Sequence, residues 1–254
     1  MTPTDPRELL RAFSEQRVTD NQVMRGLAEH KGWYVPVAFA LDQLGTNLSE
    51  HAIIFSTEFN AQPERLLLFS DAEAAHRADG QPIGMFTSAF SGARIFAALD
   101  GRYRSVSVNP GSPTQEAWFI DREAFELTNL WGQVVDLEDS IKTDYGSPAT
   151  FAKMARHPGF LLLLNAANQP LDANFPDVDG KFALAFTAPD LCDAFVASRP
   201  EEERARLNHA PLSGESLFRQ LQNFDVAGVI LNFGPKMHMV HRADFWSICE
   251  AIDG

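Results

Sequence analysis

Cysteines and long apolar runs are scarce in this chain, and both absences limit where the protein can work. Only Cys192 and Cys249 occur, each inside an apolar pattern typical of a helix. We therefore predict two buried free thiols of a cytosolic protein rather than a disulfide. The longest apolar run, residues 160–164, is far shorter than the ~20 residues that span a bilayer. Because the first residues also lack a secretory signal, we expect a cytoplasmic protein with no membrane partner.

Basic residues are outnumbered by acidic ones. The chain holds 21 Lys and Arg against 34 Asp and Glu, which gives a formal net charge of -13. Such a charge repels a phosphate backbone, so we expect no nucleic-acid partner. Apolar residues make up 45% and charged residues 22% of the chain, which is typical of a folded soluble protein.

The chain also lacks the short motifs of common active sites. It has no G-x-G-x-x-G, G-x-S-x-G, H-E-x-x-H or C-x-x-C, which mark dinucleotide, acyl-transfer, zinc and redox sites. His238 and His241 are three residues apart in a predicted strand, so they point to opposite faces and do not form a metal site. We predict no catalytic residues, metal or cofactor, and we favour a binding protein over an enzyme.

An internal repeat is the strongest positive signal, and a duplication decides how the rest of a sequence is interpreted. Residues 20–40 align with residues 147–167, so that His30 pairs with His157. The blocks that follow in the same order are 65–75 with 181–195, 91–99 with 213–221, the segments around Asn109 and Asn232, and 119–126 with 239–246. We predict two tandem copies, at about residues 19–131 and 146–252.

Each predicted copy mixes helices and strands. Residues 160–164 are apolar without alternation, as in a central strand that is covered on both faces. Helices are predicted at residues 71–78, 91–99, 189–198 and 213–222. The expected fold is α+β with α/β-like character, formed by two similar tandem domains that each pack a mixed sheet against helices. The predicted boundaries are 1–131 for an N-terminal helix plus the first repeat, 132–145 for a polar surface linker, and 146–254 for a degenerate second repeat.

The Asn-Pro-Gly-Ser segment that begins at Asn109 has two interpretations. Pro110 and Gly111 at the second and third positions predict a type II turn that connects two strands. Alternatively, Asn109 and Ser112 offer polar groups to a small ligand or peptide on an exposed loop. The candidate contact residues for a ligand or partner, taken from both copies, are Asn109, Pro110, Gly111, Ser112, Arg102, Arg104, Trp118, Asn232, Gly234 and His238.

Two further features have both a structural and a functional interpretation. His30 and His157 end equivalent predicted helices, where a protonated imidazole interacts favourably with the helix dipole. The alternative is a paired histidine site across the two copies. Arg102 and Arg104 form a small basic cluster with an aromatic neighbour, which is either a solvated strand end or a contact for an acidic partner.

The blocks of the first copy resemble a known family. In order, GWYVPV, RLLLFSD, SGARIFAAL, VSVNPGSP and AWFIDREAFE resemble the SseB-like N-terminal domain family, named for enhanced serine sensitivity. The resemblance covers about residues 20–130. It implies a soluble bacterial α/β domain whose role is poorly defined and which has no agreed catalytic residues to carry over.

The expected function follows from the repeat and the missing motifs. We expect a non-enzymatic binding or regulatory protein that binds a protein partner or a second copy of itself. A small-metabolite enzyme or sensor linked to amino-acid metabolism, with a pocket between the copies, is one alternative. A toxin-immunity or adaptor protein is the other.

Overall fold

Helices and strands follow one another in an α+β fold, as the sequence predicts. The computed structural model describes residues 5–36, 65–77, 86–97, 99, 105–175, 178–234 and 236–251. The chain divides into two compact units, Met1–Asp136 and Leu137–Gly254, called unit 1 and unit 2 below.

The described strands of unit 1 form two small sheets. Its described helices are α1 (Pro6–Ser14), α2 (Asp20–Glu29), α3 (Ala72–Arg77), α4 (Gly92–Ala97) and the first part of α5 (Phe125–Asp144). Its described strands are β1 (Trp33–Pro36), β2 (Arg65–Leu68), β3 (Phe86–Phe90), β4 (Ser105–Val108) and β5 (Trp118–Asp121). Strand β4 lies between β2, to which it is parallel, and β5, to which it is antiparallel. Strands β1 and β3 pair antiparallel, and a bridge between Tyr34 and Phe69 joins β1 to the end of β2.

Unit 2 contains one larger sheet. Its described helices, after the end of α5, are α6 (Pro148–Arg156), α7 (Pro189–Ala197), α8 (Glu201–Arg204), α9 (Gly214–Leu221) and α10 (Arg242–Glu250). Its described strands are β6 (Phe160–Leu164), β7 (Asp172–Phe175), β8 (Val178–Phe186), β9 (Asn208–Leu212), β10 (Gly228–Leu231) and β11 (His238–His241). The strand order is β11-β10-β8-β6-β9, and β7 also pairs with β8. Only the β8–β10 pairing is parallel among the described strands of this sheet.

Both faces of the unit 2 sheet are buried, because side chains alternate between two cores. Phe160 and Leu162 of β6 pack with the α6, α9 and α10 side, whereas Leu161 and Leu163 pack with the α7 side. The prediction that residues 160–164 form a central strand covered on both faces is confirmed. The described helices at 72–77, 92–97, 189–197 and 214–221 also lie where helices were predicted.

Residues 132–145 form no polar surface linker, contrary to the prediction. Residues up to Asp144 belong to the 20-residue helix α5, and the boundary between the units falls inside it. Val134, Leu137 and Ile141 are buried at spacings of three and four residues, which is one face of a helix. The acidic side chains between them occupy the other positions of the helix, which is why the segment resembled a linker.

Corresponding glycines in the two units make the same close approach. In unit 1, the Gly92 N–H donates to the His30 carbonyl at 2.8 Å, and in unit 2, the Gly214 N–H donates to the His157 carbonyl at 2.8 Å. A Cβ on Gly92 would overlap backbone carbonyls of α2, and one on Gly214 would overlap those of α6. Glycine therefore allows α4 to begin directly against the end of α2, and α9 to begin directly against the end of α6.

Candidate functional site

In each unit, a buried asparagine follows a strand that lies between one parallel and one antiparallel neighbour. Asn109 comes directly after β4 and Asn232 directly after β10, and both have positive φ, 49° and 56°. The Asn109 Oδ1 accepts from the Ser70 N–H at 2.8 Å, and the Asn232 Oδ1 accepts from the Thr187 N–H at 2.8 Å. Each asparagine thus joins the ends of two parallel strands, and asparagine tolerates the left-handed backbone that this requires.

The turn after Asn109 has the geometry expected of a type II turn. The Ser112 N–H donates to the Asn109 carbonyl at 3.1 Å, and Gly111 has a φ of 80°. The exposure expected for Asn109 is absent, because its side chain is fully buried and its Nδ2 donates to the Glu116 carbonyl. Asn109 therefore holds the turn together from inside instead of offering its amide to a ligand.

The other predicted contact residues are dispersed. In unit 1, Trp118 packs against Phe13 with ring centroids 5.1 Å apart, and Pro110 is half-buried. In unit 2, Gly234 is exposed with a φ of 134°, whereas Asn232 and His238 line the same cavity. Arg102 and Arg104 lie outside the described residues.

The cavity that contains Asn232 and His238 has a volume of about 500 Å³. It lies beyond the carboxyl end of β10, under the last turns of α5, and is called the β10 cavity here. The carboxyl end of a parallel strand is a frequent ligand site in α/β proteins. Its described lining residues are Glu138, Asp139, Ile141, Lys142, Tyr145, Leu231, Asn232, Lys236, Met237 and His238.

A network of hydrogen bonds fixes one wall of the β10 cavity. The Glu138 carboxylate accepts from the Thr187 Oγ1 at 2.8 Å and from the Lys236 Nζ at 2.9 Å. The Thr187 Oγ1 also lies 3.0 Å from the Asn232 Oδ1. Because Glu138 is bonded by both groups and its side chain is only 10% exposed, this wall is preorganised.

The opposite wall is formed by two rings. Tyr145 and His238 pack with ring centroids 4.4 Å apart, and the Tyr145 hydroxyl donates to the Asp244 carboxylate at 2.6 Å. Burial and that hydrogen bond raise the pKa of Tyr145, and burial lowers the pKa of His238. The imidazole is therefore neutral at neutral pH. Its Nε2 is buried and has no hydrogen-bond partner among the described residues.

His157 lies behind the network. It is 3% exposed, and its Nε2 is 3.0 Å from the Thr187 carbonyl. Burial lowers the pKa of His157 to about 4. The prediction of a protonated imidazole at the helix end is therefore wrong for His157, because desolvation of a buried cation outweighs the favourable helix dipole.

The network uses residues that sequence reasoning missed. Glu138, Tyr145 and Thr187 carried no motif, and the segment containing Glu138 was expected to be a linker. The one available signal for Thr187 was its alignment with Ser70, since both follow an apolar strand that ends in Phe. Nothing comparable was available for Glu138, because its partners lie 49 and 98 residues further along the chain.

The side chains that line the β10 cavity limit the kinds of covalent chemistry it could support. Its described lining contains no serine, threonine or cysteine, and its phenol is bonded to a carboxylate that disfavours ionisation. The two thiols are free and buried, as predicted, and burial raises the pKa of Cys192 to about 11. Among the described residues, no three His, Cys, Asp or Glu side chains are grouped so as to hold a metal ion.

Comparison with known proteins gives no further assignment. In the described part of the chain, no helix has the length and apolar character needed to cross a membrane. No protein-family model matches this chain, and no curated protein matches it either.

Proposed function

We propose that the protein is a non-enzymatic binding protein whose unit 2 binds a small polar ligand in the β10 cavity. The observation that carries this proposal is the His238 Nε2, which is buried in the cavity wall without a described hydrogen-bond partner. An unpaired buried polar atom costs about 1–3 kcal/mol. A ligand that enters the cavity and displaces the atoms that cover this nitrogen can hydrogen-bond to it and recover that free energy.

The other lining residues fit such a ligand. The volume of about 500 Å³ lies within the range of metabolite pockets. Glu138 is engaged by Thr187 and Lys236, so its charge is already compensated. Lys142 is an exposed cation on the same lining, and Met237 and Ile141 supply apolar surface. With Asp139 included, the lining carries two cations and two carboxylates, so it favours a ligand with a small apolar part, polar groups of both charges and one group that bonds to an imidazole.

A thermal-shift screen of amino acids and nucleotides tests the proposal. We expect at least one compound to raise the melting temperature by several degrees, because binding to the folded state stabilises it. The variant His238→Phe keeps a ring against Tyr145 but removes the nitrogen, and it should abolish the shift. His209→Phe, at an exposed position on β9, is the matched control and should keep it. A screen without any stabilising compound, or a shift that survives His238→Phe, would contradict the proposal.

Self-association is a second candidate function, and one observation favours it. Trp246 on α10 is 63% exposed, and Met237 is 47% exposed. Large exposed aromatic side chains are typical of interfaces. We expect analytical ultracentrifugation to show a reversible dimer that Trp246→Ser dissociates and Phe119→Ser does not. A wild-type chain that stays monomeric at high concentration would exclude this candidate.

We also propose that the two units are copies of one ancestral unit. The paired glycine and asparagine contacts described above support this, since Gly92, Gly214, Asn109 and Asn232 fall in the aligned blocks. The resemblance of the first copy to the SseB-like family, and with it a bacterial and cytoplasmic setting, is part of the same proposal. This resemblance rests on the order of the sequence blocks in the first copy.

A further inference from the structure

A second cavity in unit 2 is apolar inside and carries two arginines at its rim. It shares no lining residue with the β10 cavity and has a volume of about 610 Å³. The apolar wall is formed by Leu171, Leu184, Phe195, Leu207 and Phe233. We call it the arginine-rimmed cavity, after Arg199 and Arg206.

The wall of this cavity is anchored in the sheet. Leu184 of β8 and Phe195 of α7 belong to the buried core on that face. Phe233 continues the wall outward, with its ring centroid 5.5 Å from that of Phe195, and it remains 36% exposed. An aromatic side chain that stands half-exposed at the mouth of an apolar cavity leaves apolar surface for a ligand to cover.

The two arginines have no carboxylate partner among the described residues. The Arg199 guanidinium lies over the Phe195 ring, 4.3 Å from its centroid. The face of the Phe195 ring attracts the guanidinium and holds it beside the apolar wall. Glu203 is the one unpaired carboxylate of the lining, since Asp172 is paired with Lys181. With Lys181 counted together with Asp172, the rim has a net charge of +1 in a protein whose formal net charge is -13.

We propose that the arginine-rimmed cavity binds a small amphiphilic acid, with its apolar body against Phe195 and Phe233 and its anionic group on Arg199 and Arg206. Guanidinium groups bind carboxylates through paired charge-assisted hydrogen bonds. The apolar wall supplies the remaining affinity by burying the body of the ligand.

A matched pair of probes tests the proposal by isothermal titration calorimetry. 2-Naphthoate carries the acid, and 2-naphthamide has nearly the same shape without the charge. We expect the wild-type protein to bind 2-naphthoate at least tenfold more tightly than 2-naphthamide. In the double variant Arg199→Gln and Arg206→Gln that preference should disappear, while binding of the amide is retained.

Arg204→Gln is the matched control, because Arg204 lies between the two rim arginines but does not line the cavity. This variant should keep the tenfold preference, whereas Phe233→Ala should weaken the binding of both probes. Equal affinity for acid and amide, loss of the preference in Arg204→Gln, or no binding of either probe would each overturn the proposal. None of these outcomes bears on His238 or the β10 cavity.

Discussion

At the scale of single residues, His157 is a titratable side chain of unit 2 that is almost fully buried. Its imidazole is buried, it contacts the Phe160 ring, and its Nε2 lies at the Thr187 carbonyl. A neutral imidazole that donates to a carbonyl suits this position, whereas a charged one would have to lose its hydration. The stability of the protein is therefore coupled to pH at this residue.

We predict that this coupling appears between about pH 6.5 and pH 4. The folded-state pKa of about 4 lies below the unfolded value of 6.5, so the unfolded chain takes up a proton first as the pH falls. The stabilisation is complete above about pH 6.5 and is lost toward pH 4, in total about 3 kcal/mol. Urea unfolding across this range should show the stability difference between wild type and His157→Gln shrinking by about that amount.

A matched exposed histidine is the control for this pH effect. His209 is exposed on β9, and His209→Gln is measured over the same range as the comparison for a histidine substitution at the surface. Other groups titrate in this interval in all three proteins. The test therefore compares the differences in the free energy of unfolding between the proteins at each pH. A His157→Gln difference that is the same at pH 7 and pH 4.5 would show that His157 is not the coupled group.

At the scale of elements, each unit contains an ion pair between a helix and the segment before its last described strand. The helix supplies the cation in unit 1 and the carboxylate in unit 2. In unit 1, helix α1 supplies Arg11, which pairs with Glu116 two residues before β5. In unit 2, helix α5 supplies Glu138, which pairs with Lys236 two residues before β11. In both units, therefore, a helix that comes before the first aligned sequence block contacts the segment before the last described strand. The sequence alone showed no counterpart of α1.

We predict that the polarity of the unit 2 pair can be reversed. Glu138→Lys alone places two cations together, and Lys236→Glu alone places two carboxylates together, so each should destabilise the protein. The double variant restores attraction with the polarity of unit 1. In a double-mutant cycle by urea unfolding, we expect a coupling of about 1–2 kcal/mol, because Glu138 is nearly buried.

The exposed pair of Glu215 and Arg219 on α9 is the comparison for this cycle. Both of its side chains are over 40% exposed, and exposed i,i+4 pairs contribute about 0.3–0.5 kcal/mol. The same reversal made there should give a coupling within that smaller range. If the coupling at positions 138 and 236 were no larger, the buried network would not depend on this ion pair.

The predictable elements are those whose cause is local. Residues 160–164 were recognisable as a buried strand from apolar side chains alone, and Gly111 as a turn residue from its place after Pro110. The lining of the β10 cavity was not predictable, because the contacts of Glu138 with Thr187 and of Tyr145 with Asp244 join residues that are far apart in sequence. Helix α5 was missed for a different reason: its buried face has the spacing of Val134, Leu137 and Ile141, but the acidic residues between them dominate the composition.

At the scale of the whole molecule, the division into two compact units predicts two separable unfolding transitions. Calorimetry of the full chain should resolve two components, since each unit has its own internal contacts and core. Gly92→Ala forces a methyl group against the carbonyls of α2, and Gly214→Ala does the same against α6. Overpacking of this kind costs about 1–3 kcal/mol, so each variant should lower the melting temperature of one component by several degrees.

The two variants should act on different components, because Gly92 lies in unit 1 and Gly214 in unit 2. Gly159→Ala is the control: a Cβ there meets no atom within 4 Å and the residue has no positive φ, so both transitions should keep their temperatures. A single transition that Gly92→Ala and Gly214→Ala lower equally would mean that the units unfold together. In that case, the free energy that links them would exceed the damage that either methyl group causes inside its own unit.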